Sequence, residues 1–257
     1  MAEIQPARYT CYRAAGPISI DGKLDELSWR LAPKSAPFVD IVTGEPAWFD
    51  TRVALLWDDE SLYFGFWIEE TDVWGTLTRR DSKIWEENDI ELFIAGRDAY
   101  YEFEINALNT VYEAFWIWKD IHQPGGRYYG RPEFDAASAR TMVLDGVGGH
   151  VHPRGERWGF LDWDFPGLKT AVHVDGVVNS RTNTDRGWTV ELAFPWKGME
   201  PIADGRRCRL PMATCGASIV HASRRSAASE RPWTHAPDGP GTGTATTIRT
   251  FRKCSRM

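Results

Sequence analysis

Acidic side chains recur at short intervals between residues 87 and 106, in the stretch ENDIELFIAGRDAYYEFEIN. Glu91, Glu102 and Glu104 alternate there with apolar residues, so Glu102 and Glu104 share one face of a predicted strand. Such carboxylates can form a general acid/base pair, ligate a metal, accept hydrogen bonds from ligand hydroxyls, or simply be solvated. The residue types alone leave all four roles open.

Catalysis is the role that the spacing supports least. A retaining glycosidase needs two carboxyl groups about 5 Å apart, and an inverting one needs about 6.5–9.5 Å. Neighbouring strands could supply either distance, but so could any polar sheet face. We therefore expect no catalytic residue. A stand-alone glycoside hydrolase, acting on O-glycosyl bonds with the Glu91/Glu102/Glu104 face, remains the alternative hypothesis.

Seven further acidic residues lie at the ends of predicted strands, where hard oxygen ligands would suit calcium. The chain has no contiguous Asp-x-Asp-x-Asp-Gly loop, so a structural calcium is a hypothesis beside the simpler one of solvated turns. Methionine and histidine, common axial ligands of haem, are sparse in the first 205 residues. No cofactor is therefore assigned. The seven residues are Asp21, Asp25, Asp58, Asp59, Glu69, Glu70 and Asp72.

The segments that position these acids predict an all-β chain. Residues 51–70 predict a hairpin, residues 90–106 predict a second hairpin around a Gly-Arg-Asp turn, and residues 110–118 predict a third strand beside it. The stretches TAVHVDGVVN and GWTVELAFPW close the β series, and residues 119–169 predict loops and short strands. Short strands joined by polar turns are typical of an antiparallel β-sandwich, here with long loops.

Composition limits the classes of partner. The net charge of −6 argues against nucleic acid and against an anionic membrane. No stretch approaches the roughly 18 apolar residues of a membrane span. The start MAEIQPARYTCYRAAG lacks a signal-peptide pattern, so the chain is cytoplasmic as written or has lost an export signal, and the sequence leaves its location open. The four Cys residues have no CxxC spacing and indicate neither a disulfide framework nor a zinc site.

Charge divides the chain in two. Residues 1–205 carry 20 basic and 34 acidic side chains, whereas residues 206–257 carry 10 basic and 2 acidic ones. The second part is also poor in aliphatic residues and shows little periodicity. We therefore predict a β-sandwich domain over residues 1–205 and a basic, irregular tail over residues 206–257.

Five segments occur in a characteristic order: DGKLDELSW, VALLWDDESLYFGFWIEE, WEENDIELFI, YYEFEINALNTVYE and GWTVELAFPW. This ordered set, over roughly residues 16–200, resembles the family 9 carbohydrate-binding modules and their relatives. The resemblance implies an immunoglobulin-like antiparallel β-sandwich of the kind shared with DOMON domains. It also implies non-catalytic binding of a mono- or oligosaccharide or a polysaccharide end, in association with glycoside hydrolases and polysaccharide breakdown. Calcium is common in the family, and relatives are often exported.

The same resemblance implies roles for individual residues. The Trp that stacks on the sugar falls on Trp85, and the strand Glu that accepts sugar hydroxyls falls on Glu91. A second Trp from near the C-terminus would cover the other face of the ring; Trp233 is not assigned to that role. Polar residues of the next strand and its turn would complete the site: Tyr100, Glu102, Glu104, Asn106 and Asn109.

These residue types suit a sugar. A flat indole can cover the apolar C–H face of a pyranose, and carboxylates can accept hydrogen bonds from its hydroxyl rim. The thirteen Trp residues of the chain are numerous enough to supply such a surface, although core packing can account for most of them. The competing hypothesis is that Trp85 caps the sandwich core and Glu91 is solvated.

The tail departs from the family pattern. After ELAFPWKGMEPIADG the family continues with GDxWRxNxxR, which this chain lacks. A shifted reading frame takes the last base of each codon together with the first two bases of the next codon. In this frame, codon degeneracy permits the peptide PDGDVWRINCSR over residues 210–222. The same frame permits DHHPDVPEVFAH over residues 245–256, and both peptides fit the family. We therefore hypothesise a frameshift near residues 206–209; a natural disordered basic tail is the alternative.

Sequencing of the source DNA tests this hypothesis. We expect a shift of reading frame near codons 206–209, because two separate stretches of the tail recover the family pattern in one shifted frame. A verified frame, together with related proteins that carry this same tail, would refute the hypothesis.

Overall fold

The computed structural model describes residues 7–40, 44–137, 139–147, 150–203, 216–221 and 244–251, with backbone alone in the last two ranges. Nearly all regular structure is β. The strands are β1 (Ala7–Tyr9), β2 (Tyr12–Arg13), β3 (Val39–Asp40), β4 (Thr51–Trp57), β5 (Ser61–Glu69), β6 (Asp89–Ala95), β7 (Ala99–Asn106), β8 (Val111–Trp118), β9 (Thr141–Leu144), β10 (Gly146–Val147), β11 (His150–Val151), β12 (Arg157–Phe160), β13 (Lys169–Asp175), β14 (Gly187–Pro195), β15 (Gly216–His221) and β16 (Thr244–Phe251).

The helices are short. The α-helix α1 covers Leu27–Leu31, and single 3₁₀ turns cover Ile84–Glu86, Pro132–Phe134 and Trp196–Met199. In the described part of the chain no helix is long and apolar enough to cross a membrane.

Two main sheets form the sandwich. The first has the order β1-β16-β15-β6-β7-β8-β12-β9, with β3 paired to β16, and the second has the order β13-β14-β5-β4-β2. The pairings are antiparallel except for β1 with β16 and β2 with β4, which are parallel. Strands β10 and β11 form a separate two-stranded ribbon. The predicted all-β antiparallel sandwich with long loops is therefore confirmed.

Apolar and polar residues alternate along the central strands, and the apolar ones form a core between the two sheets. Ile90, Leu92 and Ile94 of β6 are buried, as are Phe103 of β7 and Phe115 of β8. They pack in one apolar cluster with side chains of the second sheet. Because alternate residues of a strand point to opposite faces, the polar residues between them must lie on the outer face of the first sheet.

The outer face of the second sheet is covered by the segment around α1. Trp29 packs over Gly65 of β5, where a Cβ would lie only about 3.0 Å from the indole ring. The indole Nε1–H of Trp29 donates to Glu191 Oε1 at 2.8 Å, and Glu191 Oε2 accepts the backbone N–H groups of Asp21 and Gly22. Glu191 is fully buried, so these three donors replace the water that its carboxylate loses.

Two strands lie in the tail that we expected to be irregular. β15 pairs with β6, with Ala217 opposite Ile94, and β16 pairs with β15. The pairing of β15 covers an edge of β6 that would otherwise expose unpaired N–H and C=O groups. Residues 216–221 and 244–251 are thus strands within the range that the sequence predicts to be mainly irregular. Trp233 lies outside the described residues, and the frameshift and the domain division at residue 205 remain predictions.

Replacement of Trp29 tests the cover of the second sheet. We expect Trp29→Ala to lower the free energy of unfolding by about 3–5 kcal/mol, because it empties a buried site and removes a donor from the buried Glu191 carboxylate. Leu27→Ala is the control on the same helix, since Leu27 is 55% exposed, and it should change stability by less than about 1 kcal/mol. Chemical denaturation followed by Trp fluorescence measures both; equal effects would contradict this account.

Candidate functional site

The outer face of β6, β7 and β8 brings the predicted acidic residues together. The strand register places Glu91 opposite Glu104 and Phe93 opposite Glu102. Glu104 in turn lies opposite Tyr112 of β8. A single row of side chains therefore crosses three strands, from Glu91 through Glu104 to Tyr112, at roughly 5 Å per strand.

A fourth carboxylate belongs to this group. Asp89 lies two residues before Glu91 on the same face of β6 and is fully buried. One carboxylate oxygen each from Asp89, Glu91 and Glu104 lies within 4.8 Å of the others. Asp89 is not among the residues that the sequence predicts for the site, although its alternation with Glu91 is a readable signal.

Burial sets the electrostatics of the group. Loss of solvent, reinforced by the charge of Glu102, raises the pKa of Glu91 to about 8. Burial also raises the pKa of Glu102 to about 7, although a hydrogen bond from Trp116 and the charge of Arg157 act in the opposite direction. The pKa values of Asp89 and Glu104 are raised well above the usual range, first by burial and then by neighbouring carboxylates.

An aromatic and cationic patch adjoins the acids. The indole Nε1–H of Trp116 donates to Glu102 Oε2 at 2.5 Å. Arg157 donates through Nε to the Tyr100 hydroxyl oxygen at 2.6 Å, and its guanidinium lies 5.6 Å from the ring centre of Trp116 and 5.4 Å from that of Trp118. Tyr100 stacks on Trp116 with ring centres 5.8 Å apart. These contacts join Glu102 and Tyr100 in one network.

Trp85 lies at the edge of the same face. Its ring meets the ring of Tyr112 edge-on, with centres 4.9 Å apart, and the side chain is 40% exposed. Ile84, the preceding residue, is buried in a small apolar cluster with Tyr112 and Trp116, which fixes the 3₁₀ turn on the sheet. The structure thus contradicts the hypothesis that Trp85 caps the sandwich core. It places the indole at an accessible position next to the row that contains Glu91.

Two of the predicted site residues have other partners. Asn106 is fully buried; its Oδ1 accepts the N–H groups of Leu108 and Thr110, and its Nδ2 donates to the Leu77 carbonyl. Asn109 is exposed in the next turn with φ of 60°, and its Oδ1 accepts a hydrogen bond from Thr170. The structure therefore shows both side chains engaged in and around the β7–β8 turn, although Asn106 lies directly opposite Asp89 in the strand register.

The seven strand-end acids do not form a cluster of three ligands in the described structure. Asp58 accepts two backbone N–H groups and the Tyr63 hydroxyl, and Asp59 pairs with Arg13. Glu70 accepts the indole N–H of Trp188 at 2.8 Å. These acids stabilise turns and strand ends, so the structure does not support them as a calcium site.

The catalytic alternative requires two carboxyl groups that can reach one substrate. Glu104 is only 3% exposed, and Glu102 is engaged by Trp116. Glu91 and Glu102 are both half-buried. With Glu104 buried and Glu102 bonded to Trp116, Glu91 is the carboxylate of the three for which no side-chain hydrogen bond is described, and this arrangement differs from a cleft flanked by two free carboxyl groups.

The comparisons with known proteins concern the fold. No protein-family model matches the chain, and no curated protein matches it. Among solved structures, one named "a putative carbohydrate-binding protein", from Bacteroides uniformis, is similar over 95% of this chain and 100% of its own, with a TM-score of 0.51 and 13% identity. A family 9 carbohydrate binding module from Caldicellulosiruptor kristjanssonii is similar over 83% of this chain, with a TM-score of 0.45 and 14% identity.

That module was solved in complex with cellotriose and with glucose, and the similarity covers 76% and 78% of those chains. Identities this low show the fold alone. Together with the two sheets, the similarity to the Bacteroides protein confirms the β-sandwich fold that the sequence resemblance implied.

Replacement of the two asparagines separates their roles. We expect Asn106→Ala to lower the free energy of unfolding by about 1–3 kcal/mol, because it removes a buried hydrogen bond to the Thr110 N–H and partly buried ones to the Leu108 N–H and the Leu77 carbonyl. Asn109→Gly should change stability by less than about 1 kcal/mol, because glycine adopts the same left-handed backbone without strain. Thermal and urea unfolding measure both variants. An Asn106→Ala protein as stable as the parent would contradict the turn assignment.

Proposed function

We propose that this protein is a non-catalytic carbohydrate-binding domain that holds a sugar on the outer face of its first sheet. The observation that carries the proposal is the position of the accessible Trp85 indole. It packs on Tyr112, which ends the row of side chains that begins with Glu91. The indole would cover one face of a pyranose, and Glu91 would accept hydrogen bonds from its hydroxyls. Tyr100 and Glu102 adjoin this surface.

The energetics suit modest affinity. Contact with one aromatic ring contributes about 1–1.5 kcal/mol, by analogy with aromatic pairs. A hydrogen bond to a charged acceptor contributes roughly 1.5–3 kcal/mol. After the cost of ordering the ligand is subtracted, a dissociation constant in the micromolar to millimolar range is expected. Such an affinity suits a domain that keeps a partner enzyme near a polysaccharide, which is the biological context we propose.

The buried carboxylates of this face would not contact the sugar directly. Glu104 and Asp89 lie beneath the surface, so they would act on the sugar through Glu91 rather than touch it. The network of Tyr100, Trp116 and Arg157 holds Glu102 in place. Along β7, Glu102 lies on one side of Glu104, and Asp89 of β6 lies on the other. We therefore assign direct sugar contact to Trp85 and Glu91, with Tyr100 and Glu102 at the rim.

Trp85→Ala is the decisive variant. We expect it to weaken sugar binding at least tenfold while the melting temperature changes little, because the side chain is partly exposed and its removal leaves the Ile84 anchor in place. Trp48→Ala is the matched control, since Trp48 is 92% exposed and lies outside this face. Calorimetric titration with glucose, cello-oligosaccharides and a wider glycan panel measures both variants.

The titration is made on the chain as given and on a version whose reading frame is corrected at residues 206–209. The comparison shows whether an out-of-frame tail abolishes sugar binding at an otherwise intact site. Unchanged affinity in Trp85→Ala would rule out the assigned site. Hydrolysis of aryl glycosides that is lost in Glu91→Gln would favour the hydrolase instead. If no sugar perturbs Trp fluorescence, a structural or protein-interaction role becomes the better account.

A further inference from the structure

A groove lies on the outer face of the second sheet, beyond the edge of the cover around α1. Its volume is about 570 Å³, and Lys34, from the segment that follows α1, is among the residues that line it. The strand register places four of the lining side chains in one row across β13, β14, β5 and β4: His173, Thr189, Trp67 and Arg52. We call this the second-sheet groove. The face that carries Trp85 belongs to the other sheet.

Trp67 provides an aromatic surface in the groove. Its side chain is half-buried, and the buried indole of Trp29 meets it edge-on with ring centres 6.2 Å apart. This contact with the α1 segment fixes the Trp67 ring from one side, while the ring still lines the groove. A flat ring held in this way suits the apolar face of a ring-shaped ligand.

Two cations flank the Trp67 ring. Lys34 Nζ lies 3.8 Å from the ring centre, and Lys34 makes no ion pair with any of the described residues. Arg52 lies directly opposite Trp67, donates through Nε to both carboxylate oxygens of Asp50, and donates through Nη1 to the Ser35 carbonyl. In the part of the chain that the structure describes, Arg52 Nη2 has no acceptor. Both cations therefore have N–H donors left for a ligand.

The acids of the groove already have donors. Asp50 is bound by Arg52, and Asp175 accepts hydrogen bonds from Arg186 Nε and Nη2 at 2.7 and 2.5 Å. Glu69 Oε2 accepts the backbone N–H of Asp50 at 3.1 Å. The remaining donors of the groove thus lie around Trp67, whereas its acceptors are engaged elsewhere.

The electrostatics at Lys34 favour an anion. Partial burial and then the positive charge of Arg52 lower the pKa of the Lys34 ammonium, and the negative charge of Asp50 offsets them only in part. Two like charges beside one aromatic ring are therefore incompletely neutralised by the protein. A ligand carboxylate between them would relieve this repulsion and form charge-assisted hydrogen bonds with both.

We propose that the second-sheet groove binds the carboxylate of an acidic saccharide, a hexuronic acid or a chain that contains one. The carboxylate accepts hydrogen bonds from Lys34 and Arg52, and the apolar face of the pyranose lies on Trp67. Lys34 is exposed, so its ammonium can move from above the ring to the ligand. The row from Arg52 to His173 crosses four strands, about 14 Å, which leaves polar side chains for hydroxyls beyond the first ring.

Calorimetric titration with glucuronate tests the proposal, in the parent chain and in Trp85→Ala, which removes the site proposed on the first sheet. We expect glucuronate binding in both proteins that weakens with added salt, because exposed charges are screened. In Trp85→Ala, glucose should bind roughly tenfold more weakly than glucuronate or not at all, because it offers the cations no charged acceptor. Acetate should also bind more weakly, because it has no ring to cover Trp67.

Charge variants locate the site. Lys34→Gln and Arg52→Gln should each weaken glucuronate binding by roughly fivefold or more. Asp50→Asn should bind glucuronate at least as tightly as the parent, because it removes a negative charge beside the ligand. Lys169→Gln is the matched control, since Lys169 is exposed on β13 outside the groove and loses the same charge. Melting temperatures check that each variant is folded.

Four results would overturn the proposal: no glucuronate binding at millimolar concentration, equal affinity for glucose in Trp85→Ala, equal affinity for acetate, or equal losses in Lys34→Gln and Lys169→Gln. Loss of glucuronate binding in Trp85→Ala would also overturn it, because the ligand would then occupy the first sheet. None of these results bears on glucose binding by the parent chain, so the function proposed for Trp85 stands or falls separately.

Discussion

The register between β6 and β7 is the constraint on which the outer face depends. Burial of Ile90 and Ile105 in the core, which are paired across the two strands, forces Glu91 and Glu104 outward and opposite each other. A slip of one residue would drive both carboxylates into the core and expose the isoleucines, at a cost that no rearrangement of the face could offset. Apolar burial on one side of the sheet therefore holds like charges together on the other.

Much of this architecture is readable from the sequence because it is local. The alternation in residues 51–70 and 90–118 predicts the central strands, and the same alternation predicts that Glu102 and Glu104 share a face. The burial of Glu104 was not predictable in this way. It depends on the sheet neighbour Tyr112 and on the turn that carries Ile84, and which segments cover a strand is a tertiary property.

The differences between prediction and structure have related physical causes. The strand position of Asn106 predicts a ligand-binding side chain, and this stays a prediction, but the amide of an Asn at the end of a strand readily bonds the backbone of the following turn, as it does here. Arg157 was overlooked because it reaches Tyr100 only through the pairing of β12 with β8 after a long loop. The strand β15 was overlooked because its own pattern is weak, and the unpaired edge of β6 is what accommodates it.

Buried carboxylates in this fold fall into two groups, and the difference between them is informative. Glu113 accepts the Tyr101 hydroxyl and the Phe165 N–H and pairs with Arg80, and Glu191 accepts three N–H donors. Both lock loops onto the sheets, and in each the fold supplies the donors that burial demands. Glu104 is equally buried but keeps an oxygen without a donor. The difference follows from position: Glu113 and Glu191 meet loop segments that bring N–H and O–H donors to them, whereas Glu104 lies in the middle of the first sheet, directly opposite Glu91.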